Sequence, residues 1–248
     1  MNTRIIDANG LHYSLLNDKI NEAIKMGERE IVLNNVNGQR FICAGLTEKI
    51  KLIINGVPGN DLGAFMDGPT IIVNGNAQDG VGNTMNGGKI VVKGNAGDVC
   101  GYGMRGGKLF IQGDAGYRIG IHMKGYKDLI PVIIIGGNAG NFLAEYMAGG
   151  IIILLRMFGR KANFKAHPDF IASGMHGGVL YIRGEIDKKQ LGKGVEIKNV
   201  NDEDLKLINS LISEYSEDLG LDKDEILKAS FTKLQPAGVR PYGKLYVY

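Results

Sequence analysis

GVPGNDLGAFMDGPTIIVN (56–74), GNAQDGVGNTMNGGKIVVK (75–93) and GNAGDVCGYGMRGGKLFIQ (94–112) follow one another without a gap, each on the plan of the last. Gly56, Gly75, Gly94 and Gly113 stand 19 residues apart. A fixed period of this size means one structural unit stacked on copies of itself, so the repeat decides the fold before any motif is read.

Outward from these units, the closing apolar run recurs eight times, at Glu30–Asn34, Lys51–Asn55, Thr70–Asn74, Lys89–Lys93, Lys108–Gln112, Val132–Gly136, Ile151–Leu155 and Val179–Arg183. Successive spacings are 21, 19, 19, 19, 24, 19 and 28 residues. The departures are insertions of 2, 5 and 9 residues, the second at Lys127–Pro131 and the third between Arg156 and Phe170. Loops on a solenoid tolerate such insertions. Runs such as Ile71-Ile72-Val73 and Ile133-Ile134-Ile135 are β-branched and too short for helices, so they read as strands. Gly87-Gly88, Gly106-Gly107, Gly149-Gly150 and Gly177-Gly178 precede strands, where a tight corner needs positive φ. One strand per unit, always entered by the same turn, excludes hairpins. The expected fold is all-β: a single-stranded, right-handed parallel β-helix of about seven coils over residues 30–184. At ~4.8 Å per coil it is roughly 34 Å long. Residues 1–29 are read as an N-terminal helical cap and 185–248 as a C-terminal helical and extended tail, because the open ends of a solenoid need covering.

Inward positions of such a stack form ladders of like residues. Met66, Met85, Met104, Met123, Met147 and Met175 stand four residues before successive strands. A second apolar ladder is Cys43, Leu62, Val81, Cys100, Ile119, Leu143 and Ile171, followed directly by small residues at Ala44, Gly63, Gly82, Gly101, Gly120, Ala144 and Ala172. Ala77, Ala96, Ala115 and Ala139 make a third. Met adapts to an interior of uneven width, so the stripe reads as core and not as a soft-metal site. On this alignment Cys43 and Cys100 lie three coils apart, roughly 14 Å, too far for a disulfide. They read as buried free thiols in a reducing compartment. With no signal-peptide pattern and no apolar run long enough for a membrane span, the expected location is cytoplasmic.

The flanks carry helical spacing. Leu16, Ile20, Ala23 and Ile24 line one face and Gly27 stops it. Leu205, Ile208, Ile212, Tyr215 and Leu219 line another, capped by Asn201 or Asp202 and ended by Gly220. Asp222 and Glu225 stand at capping-box spacing for a short second helix. Pro236 and Pro241 keep the last segment extended.

Chemistry is not concentrated anywhere. The formal charge of +3 is small and its basic residues are scattered, so nucleic acid is not an expected partner. Gly101-Tyr102-Gly103-Met104-Arg105-Gly106 matches a dinucleotide fingerprint by letter, yet a strand follows it instead of a helix. His12, His122, His167 and His176 lack metal-ligand spacing. Asn76, Asn95, Asp114 and Asn138 supply one oxygen-bearing side chain per corner, too few for calcium, and read as turn residues. A carbohydrate-cleaving enzyme would need carboxylates paired across a groove. Asp61, Asp79 and Asp98 lie near one edge, but in corner sequences. No catalytic, cofactor-binding or metal-binding residue is assigned.

The repeat units resemble the G-x-G-x-G solenoid domain at the C-terminal end of the large subunit of glutamate synthase, which also occurs as a free-standing chain. Val36-Asn37-Gly38-Gln39-Arg40-Phe41 and Arg240-Pro241-Tyr242-Gly243-Lys244-Leu245-Tyr246 are similar to the free-standing type. The solenoid subunit of formylmethanofuran dehydrogenase resembles the same repeat and remains the alternative. The resemblance implies a non-catalytic scaffold, packed against a glutamine amidotransferase chain and a synthase chain that carries FMN and an iron–sulfur cluster. It transfers no active-site residue, and self-association stays open. Tyr102, Phe142 and Tyr146 fall outside the ladders and are the expected anchors for partner chains.

Overall fold

The computed structural model describes residues 3–158 and 168–238. Eight strands stack parallel in chain order: β2 (Glu30–Asn37), β3 (Lys51–Val57), β4 (Asp67–Asn74), β5 (Gly87–Val92), β6 (Lys108–Ile111), β7 (Val132–Ile135), β8 (Ala148–Leu154) and β9 (Gly177–Arg183). Each pairs with its copy in the next coil, so Ile31, Leu52, Ile71, Ile90, Leu109, Ile133, Ile152 and Leu180 form one register column. The chain is a parallel β-solenoid of about six turns, against the seven expected.

Inside the coils the ladders close as the repeat implies. Met66, Met85, Met104, Met123 and Met147 are fully buried and Met175 nearly so, with Ala77, Ala96, Ala115 and Ala139 buried beside them. Each such Met, Leu or Ile contributes about 1.5–3 kcal/mol by leaving water. The first coil departs from the expected alignment. Gly63 donates its N–H to the carbonyl of Ile42, as Gly82 does to Leu62 and Gly101 to Val81. Ile42 therefore holds the apolar position expected of Cys43, Cys43 the small-residue position, and Ala44 is exposed. The reason is where the two extra residues fall. One is a bulge between Leu33 and Val36, with Asn35 at φ 57°, and the other follows Cys43. Cys43 and Cys100 are free and buried, and burial pushes both thiols up to about 12.

The ends are closed by more than helices. A strand, β1 (Thr3–Asp7), extends the sheet parallel to β2 before helix α1 (Tyr13–Lys25) packs Leu16, Ile20, Ala23 and Ile24 against the first coil. At the other end β10 (Val195–Lys198) and β11 (Phe231–Pro236) continue the sheet, β11 running antiparallel against β9. Between them in sequence lie α2 (Asp202–Leu219) and the short α3 (Lys223–Leu227). Neither β1 nor β10 carries the repeat pattern, and both are defined by partners far along the chain.

Helix α2 makes a second core on the outside of the sheet. Val91, Phe110, Ile134, Ile153 and Tyr181 point outward from β5 to β9 and are buried against Ile208, Leu211, Ile212 and Tyr215. The helix lies along the solenoid axis. Asp204 near its start accepts from the hydroxyl of Tyr181 on β9, while Asp218 near its end pairs with Lys89 on β5 at 2.7 Å. One helical turn rises ~5.4 Å and one coil ~4.8 Å, so each turn sits over about one strand. The expected helix face is rotated: Leu205 is 52% exposed, and Asp204 and Leu211 face inward in its place. Asn201 caps the helix in a reciprocal box with Asp204, and Gly220 ends it in the left-handed conformation at φ 66°. Asp222 accepts from the backbone of Asp224, one residue short of the Glu225 partner expected.

Asp204 ties three elements together. Its carboxylate accepts from the Asn201 N–H, the Tyr181 hydroxyl and Lys233 Nζ, the last at 2.8 Å. Burial alone would raise its pKa, but these three donors hold it below the ordinary carboxylate value. Tyr181 is shifted the other way, upward, by burial first and by the neighbouring Asp204 second.

Candidate partner-docking face

Opposite the strands, each coil turns through three left-handed residues at alternate positions. The first column is Phe41, Asp61, Gly80, Val99, Arg118, Phe142 and Phe170. The second is Cys43, Gly63, Gly82, Gly101, Gly120, Ala144 and Ala172, and the third Gly45, Phe65, Thr84, Gly103, His122, Tyr146 and Gly174. The hydrogen bonds explain the alternation. First- and third-column amides donate forward to the next coil, as Asp61 does to the carbonyl of Asp79 and His122 to that of Glu145. Second-column amides donate backward, as Gly120 does to Cys100. Flipping every other residue into positive φ lets one turn bond to both neighbours. The second column points inward, where a Cβ at Gly101 or Gly120 would lie under 3 Å from a core isoleucine. Non-glycine residues in the first and third columns project out.

With Tyr102, which stands between the second and third columns, that projection makes a ridge of aromatic rings. Tyr102 is 43% exposed, Tyr146 49%, Phe170 52% and Phe65 56%, while Phe142 is half-buried. His122 lies between two tyrosines, edge-on to Tyr102 at 5.9 Å and stacked on Tyr146 at 5.4 Å. Alongside, Phe142 stacks on Phe170 at 5.0 Å and carries the Arg118 guanidinium 4.6 Å from its ring centre. Arg118 is held there by Glu145 at 3.0 Å. Coil spacing sets these distances, since side chains one coil apart in a column stand close enough to stack. Tyr102, Phe142 and Tyr146, the three anchors expected from sequence, thus stand on one face. The sequence reading missed Phe170, Phe65 and Arg118, which became legible only once the left-handed columns were aligned.

The acidic and amide residues of the corners have another role. Asp79 Oδ1 accepts the N–H of Asp98, and Asp98 Oδ1 that of Tyr117, each at 2.9 Å. Asp61 accepts from the Asn83 amide at 3.0 Å. Asn76, Asn95 and Asp114 repeat the pattern, each accepting the backbone N–H one coil on. These oxygens bond between coils, where the sequence pointed to local turn bonding. Among the described residues, no three of His, Cys, Asp and Glu gather as a metal-binding group. His12 and His176 each bond locally, and His167 lies outside the described residues. The stretch Gly101–Gly106 is a coil corner leading into β6, with Met104 in the core. Among the described residues no helix is long and apolar enough to cross a membrane.

Comparison with known proteins agrees with this geometry. An uncharacterized protein of Methanocaldococcus jannaschii is 50% identical over 249 residues, covering 98% of this chain and 95% of the relative. Among solved structures, a chain of the formyltransferase/hydrolase complex of Methylorubrum extorquens, crystallised with methylofuran, superposes with a TM-score of 0.62. The match covers 92% of this chain and 89% of that one at 22% identity, a likeness of fold. The family model described as the GXGXG motif matches residues 16–239. The alternating glycines of this chain fall on the left-handed columns, as at Gly80-Val81-Gly82 and Gly101-Tyr102-Gly103, and the chain belongs to the GXGXG motif family.

Proposed function

We propose that this chain is a non-catalytic scaffold subunit of a glutamate synthase, a cytoplasmic assembly in which it holds an amidotransferase chain against a flavin-bearing synthase chain. The observation that carries the reading is the aromatic ridge. Tyr102, His122 and Tyr146 form one run of ring contacts, and Phe142 with Phe170 forms a second beside it, on the outer face of the solenoid turns. Large aromatic side chains held in place lose little entropy on docking, which suits them to anchor a partner. The rest of the turn face supports a structural role, because carboxylate and amide oxygens in successive corners accept coil-to-coil bonds. FMN and the iron–sulfur cluster belong on partner chains in this reading. The two cysteines here are buried in separate coils and do not fit a set of cluster ligands.

The test is reconstitution. Mixed with the amidotransferase and synthase chains of the same cell, this protein should form a complex and couple glutamine hydrolysis to glutamate formation. Omitting it should leave glutaminase activity largely intact while ammonia escapes. Tyr102→Asp with Tyr146→Asp should abolish assembly at unchanged thermal stability. If the other two chains make glutamate from glutamine equally well without it, the reading fails. A second reading is favoured by the structural neighbour, whose complex carries out formyl transfer and hydrolysis. In it this chain is the counterpart of the solenoid subunit of a formylmethanofuran dehydrogenase, and co-purification with the other chains of that enzyme would decide for it.

A further inference from the structure

The outward side of the sheet carries one unbroken apolar column. Ile5, Val32, Ile53, Ile72, Val91, Phe110, Ile134, Ile153 and Tyr181 are register partners from β1 to β9. Helix α2 buries the last five and stops at Gly220, where Asp218 has reached Lys89 of β5. In line beyond it, Ile72, Ile53 and Val32 are only partly buried, and Ile5 is 63% exposed. We propose that this remaining stretch, Ile5–Val32–Ile53–Ile72, seats an amphipathic α-helix contributed by a partner chain, in line with α2.

The covered half of the column says what fits the open half. Helix α2 lies axially with about one turn over each strand, its apolar side chains on the central column and its acids over the flanking lysines. Glu214 reaches Lys108 and Lys89, and Asp218 reaches Lys89. The four open strands span three coil steps, ~14 Å, which an axial helix of about ten residues covers. A strip of that length and about 12 Å wide is roughly 170 Å², far below the ~800 Å² per partner of a stable dimer. A second copy packed face to face is therefore a poor occupant, and a single helix tethered to a larger partner is a good one.

The flanks define the helix's charges. On one side Asn34, Asn55 and Asn74 form a neutral amide ladder, each bonded to the next at 2.8 Å. On the other side Glu30, Lys51 and Thr70 continue the column that holds Lys89 and Lys108. Glu30 is kept ionised by the Thr3 hydroxyl at 3.0 Å and by Lys51 at 3.4 Å. By the rule that places Glu214 and Asp218, the incoming helix carries an acid over Lys51 and a base over Glu30, one turn apart. This surface lies across the solenoid from the aromatic ridge and does not depend on which enzyme the chain serves.

The probe is a synthetic peptide with the sequence of residues 210–219 and Asp218→Lys, which keeps the apolar side chains Leu211, Ile212, Tyr215 and Leu219 of α2, fits the ~14 Å stretch and matches Lys51 and Glu30. Titrated into the full chain and followed by fluorescence anisotropy of the labelled peptide, it should bind saturably. Hydrogen exchange should show protection on β2, β3 and β4. Ile53→Asp and Ile72→Asp should each weaken binding by at least about tenfold. Lys51→Glu, at the exposed edge where folding is not at stake, should weaken it severalfold, and Tyr146→Asp on the ridge should leave it unchanged. Absence of saturable binding, binding indifferent to Ile53→Asp and Lys51→Glu, or protection confined to β6–β9 would overturn the proposal. So would a dimer of the chain in sedimentation that Ile53→Asp dissolves, since the face would then belong to a second copy.

Discussion

Replacing Gly101 by alanine probes the inward left-handed column at its tightest point. Gly101 sits at φ +68°, and a Cβ built on it would lie 2.3 Å from Ile133 Cδ1. Gly82, one coil earlier in the same column, has the same φ of +68°, yet its nearest neighbours stand at 3.8 Å. The pair therefore separates two costs. Holding an L-residue in the left-handed region costs about 1–2 kcal/mol at either site. Only at Gly101 must Ile133 also move, and although Cδ1 is the end of its side chain, Ile133 is fully buried with Met104 in the same core. Overpacking of that kind costs a further ~1–3 kcal/mol. Gly101→Ala should thus lose about 2–5 kcal/mol and Gly82→Ala about 1–2 kcal/mol. Each kcal/mol is ~2–4 °C of melting temperature at this size. Gly10→Ala, at φ +69° with nothing within 4 Å, supplies the conformational cost alone. Chemical denaturation of the three variants measures the order. The chain's own Ala144 and Ala172, at φ 60° and 56°, show that the column admits a methyl where the next strand leaves room. Equal losses at Gly101 and Gly82 would refute the inward register.

Met104→Asp should bury an unpaired carboxylate between neighbouring ladder residues and cost several kcal/mol, whereas Tyr102→Asp, on the exposed ridge, should cost little; thermal melts ranked the other way would reverse inside and outside. Asp204→Ala strands Lys233 and Tyr181 without their partner and should destabilise by about 3 kcal/mol or more, read by urea unfolding; a loss under about 1 kcal/mol would remove Asp204 as the tie between α2 and the sheet. Asp204 and Glu214 are held below their ordinary values of 3.8 and 4.5, so their stabilisation is full above those values and lost as pH falls through the lower folded-state ones. Unfolding free energy should therefore drop between about pH 5 and about pH 3, more steeply than in a Glu214→Gln variant, and matching profiles would exclude Glu214. Cys43 and Cys100, raised to about 12 by burial, should resist a thiol reagent at neutral pH until the chain unfolds, and prompt labelling of the native protein would place one of them at the surface.

The solenoid was legible in the sequence because its information is local and repeated. The Met ladder, the Ala ladder and the β-branched runs each recur at one offset, so six or seven coils report the same environment independently. The same redundancy identified Tyr102, Phe142 and Tyr146 as lying outside the ladders. Where the period broke, the reading slipped. Two extra residues in the first coil were both counted ahead of Cys43, and only the hydrogen bond from Gly63 to Ile42 shows that they straddle it.

The period, the parallel strands and, outside the first coil, the inward ladders were thus readable from the chain as written. Contacts between elements that do not repeat were not, and they took shape only in three dimensions. β1 and β10 are strands because distant partners offer an open edge, a contact that no five-residue pattern announces. Helix α2 turns Asp204 inward, against its polarity, because Tyr181 and Lys233 arrive from β9 and β11 to satisfy it. The aromatic ridge and the half-covered apolar column exist only after coils some 20 residues apart are stacked ~4.8 Å apart, since ring stacking and helix seating are properties of that spacing and not of any one coil.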